Sequence, residues 1–187
     1  MYYLLIFVVA LSAFYLGFEA PEISNTTWAA SLFILLSYAS YIDIKTFEIP
    51  DLVSIGLFPL GALWCATHAS SYLYENLAGS CATLVALSLF NSLYRRVREQ
   101  DGIGFGDIKL LASSVLWIGI AALPATLLIA ATSGIVASLI GISKKGRQQI
   151  AQPIPFGPHL SLGIWITWIV GTQSLTDIIA HSRELFS

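Results

Sequence analysis

Charge is scarce in this chain. Of its 187 residues only 11% are Asp, Glu, Lys or Arg, less than half of the quarter or so carried by an average soluble domain. With 56% hydrophobic residues and a mean hydropathy of +0.76, this excludes a soluble globular domain and places the chain in a lipid bilayer. The formal net charge is -2, and the positive residues are confined to a few connecting segments, so a nucleic-acid-binding surface is excluded as well. Cysteine is equally sparse: Cys65 and Cys81 lie inside apolar runs with no Cys-x-x-Cys arrangement. That leaves no zinc site or redox motif and reads as two buried free thiols. No basic segment separates Met1 from the first apolar run, as a signal peptide would require, so that run is expected to be a retained helix. Internal repeats and low-complexity linkers are also missing.

What is present is a series of apolar runs. Measured against the 20 or so residues needed to cross a bilayer, the candidates are 2–18, 28–42, 52–68, 76–94, 108–122, 124–142 and 157–172. The expected architecture is an all-α polytopic membrane bundle of about seven transmembrane helices. The count becomes six if the fifth and sixth runs form one kinked segment across Pro124. Against that, roughly 35 residues at 1.5 Å each overshoot a hydrocarbon layer of about 30 Å. The residues 172–187 have the pattern of a short amphipathic tail helix.

Lysine and arginine collect in cytoplasmic loops. Apart from Arg183, all of them fall in the second-to-third, fourth-to-fifth or sixth-to-seventh connections. The opposite connections hold Glu19, Glu22 and Glu75 and no basic residue. With seven helices this sets the amino terminus inside, the carboxyl terminus outside, and the three basic loops at the cytoplasmic face of a bacterial-type inner membrane.

Two of those loops carry carboxylates against the edge of an apolar run: Asp43 directly follows 28–42, and Asp107 directly precedes 108–122. Ionisable groups are costly there and usually functional. A pair of aspartates sharing one proton is the minimum equipment for hydrolysing a peptide bond, one activating water while the other polarises the carbonyl. This requires the second and fifth helices to be neighbours. Gly104 and Gly106, in Gly104-Phe105-Gly106-Asp107, permit conformations and close approaches closed to other residues. The plainer reading is a turn in which Asp107 caps the fifth helix. In Ile49-Pro50-Asp51, Pro50 suits a helix start and Asp51 its positive end. Lys45 and Lys109 each follow an aspartate by two residues, where they either bias its ionisation or, the plainer expectation, snorkel to the surface. The prolines Pro153, Pro155 and Pro158 interrupt helix formation before the seventh run. His159 is placed to sense pH near the site or, the plainer reading, to serve as a packing or interfacial residue.

The Asp43-x7-Asp51 segment with Ile49-Pro50, the later Gly104-x-Gly106-Asp107-x-Lys109-Leu110, and a third patch at 154–163 together resemble the type IV prepilin peptidase family, over about residues 28–172 of a single domain, 1–187. The resemblance implies a membrane aspartic endopeptidase that cleaves the short basic leader of prepilin-like precursors at the cytoplasmic face. Asp43 and Asp107 would be its catalytic pair. Asp51, Pro50, Asp101, Gly104, Gly106 and Lys109 would shape the site or bind substrate, and no metal or other cofactor is implied. Asp101 stands where the family pattern often has glutamate. The nine-residue link from Glu19 to Thr27 lacks the paired Cys-x-x-Cys motifs of long members, so a short form without methyltransferase activity is expected. Three other readings use the same residues: a proton- or ion-coupled transporter, a metal enzyme binding through Asp43, Asp51, Asp101 and Asp107, and a silent pilus-assembly subunit.

Overall fold

A computed structural model describes residues 23–145 and 154–171. The first apolar run, the tail helix, Pro153 and Arg147 lie outside the described residues. Six α-helices fill the remainder: α1 Ile23–Thr46, α2 Asp51–His68, α3 Leu73–Arg98, α4 Phe105–Ile118, α5 Leu123–Lys145 and α6 Gly157–Val170. Short 3-10 turns at Ser70–Tyr72 and Ile120–Ala122 join α2 to α3 and α4 to α5. Six of the seven expected helices are thus present, and the fifth and sixth are separate, because Gly119 takes a left-handed φ of 78° that ends α4.

The segments Thr27–Thr46, Ser70–Arg98 and Ile120–Ser143 are long and apolar enough to cross a membrane, which makes this a multi-pass membrane protein. In contrast, α4 and α6 have only 14 residues each, roughly 21 Å of helix. Their sequences are buried almost throughout, from Leu110 to Ile118 in α4 and from Gly157 to Trp165 in α6. These two short helices form the centre of the bundle, and longer helices meet the lipid around them.

The packing divides into two trios. In one, α4 lies between α2 and α3; in the other, α6 lies between α1 and α5. They meet along a seam formed by α1 against α2 and α4 against α6. Close approach within the first trio is enforced at Gly61, where a Cβ would stand 2.5 Å from Nε1 of Trp117. That indole donates to the Leu57 carbonyl at 2.9 Å, so α2 and α4 are tied by contact and hydrogen bond together. Ser80 of α3 donates to the carbonyl of Ala112 at 2.7 Å. In the second trio, Thr126 and Thr167 bond at 3.0 Å, and Gly163 admits the backbone of Thr126, whose carbonyl oxygen would lie 2.5 Å from an added Cβ. Across the seam, Trp28, Trp64, Trp117 and Trp168 form a chain of ring contacts at 6.1–6.2 Å.

Cys65 is buried, as expected, and accepts a hydrogen bond from Asn76 at 3.4 Å. Cys81 is exposed instead. Apolar composition marks a residue for the membrane but does not say whether protein or lipid will surround it.

Candidate active site

The two aspartates come from different trios. Asp43 lies in the last turn of α1, a buried carboxylate only 5% exposed. Its Oδ2 accepts a hydrogen bond of 2.7 Å from the backbone N–H of Gly157, the first residue of α6. Residue 157 has to be glycine for this contact, since an added Cβ would stand 2.7 Å from Oδ2 and 2.9 Å from Cγ of Asp43. Pro155 and Pro158 hold this entry in shape: 154–156 is not helical and the helix begins only at Gly157.

Asp107 lies in the first turn of α4, ahead of the apolar run that starts at Ile108 and outside the membrane-spanning segments. It does not cap the helix. Gly104 holds the cap position in extended conformation (φ -61°, ψ 136°) and no side chain caps this end. The half-buried Asp107 carboxyl is left to face a cleft of about 450 Å³, which it lines with Gly104. Burial and, second to it, the negative charge of Asp43 push the Asp107 carboxyl up to about 6. The two acids therefore sense each other across the seam. The helices α1 and α4 are not a principal packing pair; what converges is the end of one with the beginning of the other.

The glycines act through space rather than through unusual dihedral angles. A Cβ on Gly104 would lie 3.1 Å from Oδ2 of Asp107, and one on Gly106 would lie 3.0–3.3 Å from Ile49. Gly106 thus lets the α1–α2 connection rest on the start of α4. Pro50, in extended conformation (φ -67°, ψ 141°), caps α2, and Asp51 is its first helical residue. Asp51 forms an ion pair with Lys109, whose ammonium also lies 4.8 Å from the centre of the Phe105 ring. Lys109 reaches an exposed carboxylate 58 residues away, so its reach toward the surface ends in an ion pair. Lys45 bonds to the Tyr41 hydroxyl and lies over that ring.

Asp101 is placed elsewhere. It lines a separate pocket of about 250 Å³ with Asn91 and Arg95, and its carboxylate lies 3.8 Å from Arg95 Nε. Asn91 is a residue that the sequence did not single out. Its Oδ1 accepts from the N–H groups of Gly102 and Ile103 at 2.8 and 3.2 Å, holding the loop that leads into Gly104. An asparagine inside an amphipathic helix gives no periodic signal of such a role. His159 is buried, and its Nδ1 is 3.0 Å from the Ser133 hydroxyl, as a packing residue should be. Among the described residues, no three His, Cys, Asp or Glu side chains gather as a metal-ion site. Asp51 and Asp101 are engaged by Lys109 and Arg95.

Comparison with known proteins adds to this geometry. The type IV leader peptidase family matches residues 30–139, more than half of the chain and inclusive of both aspartates. The chain belongs to the type IV leader peptidase family. It is similar to the prepilin leader peptidase/N-methyltransferase of Pectobacterium carotovorum subsp. carotovorum, with 36% identity over 73% of this chain and 49% of that protein. Corresponding proteins of Burkholderia pseudomallei strain 1026b (38% identity, 71% of this chain, 43% of that protein) and Pseudomonas aeruginosa PAO1 (31%, 79% and 52%) are also similar. The chain spans about half the length of these curated relatives. No solved structure matches it.

Proposed function

We propose that this leader peptidase family member is an aspartic endopeptidase that removes the leader of prepilin-like precursors, with Asp43 and Asp107 as the catalytic pair. The observation that carries this reading is the meeting of two acids at the seam, with Asp107 held near 6 in part by the charge of Asp43. A pair that shares one proton can perform both halves of the reaction. In this assignment Asp43, whose Oδ2 is held by the Gly157 N–H, takes a proton from water as the oxygen attacks the scissile carbonyl carbon. Asp107 gives its proton to the carbonyl oxygen. Collapse of the tetrahedral intermediate breaks the carbon–nitrogen bond, the leaving amine takes a proton from Asp43, and Asp107 recovers its own.

Asp51, Pro50, Gly104, Gly106 and Lys109 support the pair from the α1–α2 connection and the start of α4, and Asp101 orders the loop before Gly104. Lys45, Arg95 and Lys109 belong to the connections at this same end, which favours a cytoplasmic position for the site. The whole chain 1–187 serves as one peptidase domain in this reading.

The test is cleavage of a type IV pilin precursor in membranes containing the wild-type chain, Asp43→Asn or Asp107→Asn, each with and without a chelator. Loss of cleavage in both variants at normal membrane levels, with no chelator effect on the wild type, is expected. An active variant would remove the two-aspartate assignment, and chelator sensitivity would favour the metal reading.

A further inference from the structure

The first turn of α6 receives little support from its own chain. Residues 154–156 are not helical, no side chain caps this end, and Pro158 has no N–H. The N–H of Gly157 goes to Asp43, and those of His159 and Leu160 go to the Phe156 carbonyl. Helix residues two apart are separated by about 200° around the axis, so Gly157 and His159 face nearly opposite ways. Gly157 lies against Asp43 of α1. His159 lies against α5, with its Nδ1 3.0 Å from the Ser133 hydroxyl and its ring over Gly134. The turn that holds Asp43 is thus gripped between two helices, by one hydrogen bond on each side.

The His159 contact has a direction. A hydroxyl carries one proton, and Ser133 is also 3.0 Å from the Ala130 carbonyl, which can only accept. Both contacts are satisfied when Ser133 donates to that carbonyl and the imidazole donates from Nδ1. His159 is buried, so losing the acceptor would strand its N–H and favour displacement of the ring. The other α5–α6 side-chain bond, Thr126 to Thr167, is too remote to fix this turn, because from His159 to Thr167 is about 12 Å along α6. We propose that His159 is a positioning residue for Asp43: its Nδ1–H, held by Ser133, fixes the first turn of α6 on α5 and with it the Gly157 N–H that places the Asp43 carboxylate. The consequence for catalysis rests on the peptidase function proposed above; the link from Ser133 to Asp43 does not.

The experiment uses the full chain and has two readouts. Ser133→Ala removes the acceptor and His159→Phe the donor, whereas Ser133→Thr and His159→Asn keep one at similar reach. Thr126→Val breaks the remote bond of the same helix pair and serves as the control. In native membranes, Ser133→Ala and His159→Phe should each lower kcat for precursor cleavage about tenfold with KM little changed. The conservative variants should recover most of that loss, and Thr126→Val should lower thermal stability without lowering kcat. The second readout needs no activity: the Asp43 carboxyl-carbon resonance of labelled protein in detergent, assigned by its loss in Asp43→Asn. It should shift in Ser133→Ala and His159→Phe in the direction that Gly157→Ala shifts it, and stay in place in Thr126→Val. An unmoved Asp43 resonance in either folded variant overturns the inference. An equal shift in Thr126→Val does so too, since it assigns the effect to general loosening of α5 from α6. If the wild type cuts no precursor while the Asp43 resonance shifts as expected, the peptidase reading falls and the positioning of Asp43 by His159 stands.

Discussion

The backbone N–H of Gly157 donates to Oδ2 of Asp43 across 2.7 Å, joining residues 114 positions apart. The only space for that bond is the space a side chain would take, because a Cβ at 157 would come within 2.7–2.9 Å of the carboxylate. Gly157→Ala is therefore expected to displace Asp43 and reduce kcat for precursor cleavage about 100-fold, the usual consequence of a displacement near 1 Å. Cleavage assays at matched membrane levels check this, and a variant within threefold of wild type would show that the bond does not position Asp43.

The Asp107 carboxyl titrates near 6 rather than at its ordinary 3.8, first through burial and second through the charge of Asp43. A raised value means that the folded chain holds this proton more tightly than the unfolded chain. Its contribution to stability is thus fully present below about 4 and is lost as the pH rises through 6. Asp43→Asn removes the smaller cause. The Asp107 midpoint should then fall, while burial keeps it above the ordinary value. Carboxyl carbon NMR of labelled protein across pH 3–8 measures this shift; an unchanged midpoint would show that the two acids do not interact.

Lys109 and Asp51 connect the first turns of α4 and α2, but the Asp51 side chain is 69% exposed. Solvent screening limits such a pair to about 1 kcal/mol or less. Asp51→Asn should accordingly lower thermal stability only slightly. If the pair also aligns the two helix starts, activity should fall more than stability does, and the exchange Asp51→Lys with Lys109→Asp should recover part of it.

Asn91 holds two backbone N–H groups of the loop before Gly104. Asn91→Ala removes the acceptor of one exposed and one partly buried N–H and should destabilise the protein by about 0.5–1.5 kcal/mol, read by thermal unfolding in detergent. Asn91→Asp retains an acceptor at the same reach and should recover most of the loss. Equal losses in both variants would assign the effect to shape alone.

At the far end of α4, Gly61→Ala pushes a methyl group into the Trp117 ring, 2.5 Å from Nε1. Overpacking of this kind costs about 1–3 kcal/mol. Trp117→Phe removes the nearest of these contacts, leaving Leu116 Cβ at 2.9 Å, while losing one hydrogen bond, so the double variant should recover part of the stability lost in Gly61→Ala. A double variant as unstable as the sum of the two would show that the contact is not the cause.

Much of this was legible in the chain. Long apolar runs bounded by charge located α1, α2, α3 and α5, and the excess length of a single segment across Pro124 separated α4 from α5. The motif spacing pointed to Asp43 and Asp107. Yet the same reading gave Asp107 an optional role as a helix cap, which Gly104 takes, and sent Lys109 to the surface without naming Asp51 as its partner there. Cys81 was expected to be buried and is exposed. In each case the residue's neighbours lie far along the chain or outside the protein, and local pattern says nothing of them.

The sequence by itself determined that this protein lives in a membrane, that it is helical, and that two acids and most of its basic residues sit at the ends of its apolar runs. Those properties follow from transfer free energies and backbone hydrogen bonding, which act on each segment wherever it ends up. Only the tertiary structure decided that short α4 and α6 occupy the centre, that the charge of Asp43 is felt by Asp107 across the seam between two trios, and that an apolar cleft opens beside Asp107. These depend on which small residues let helices approach and on which N–H reaches which carboxylate. Such contacts exist only once segments far apart in the chain have packed.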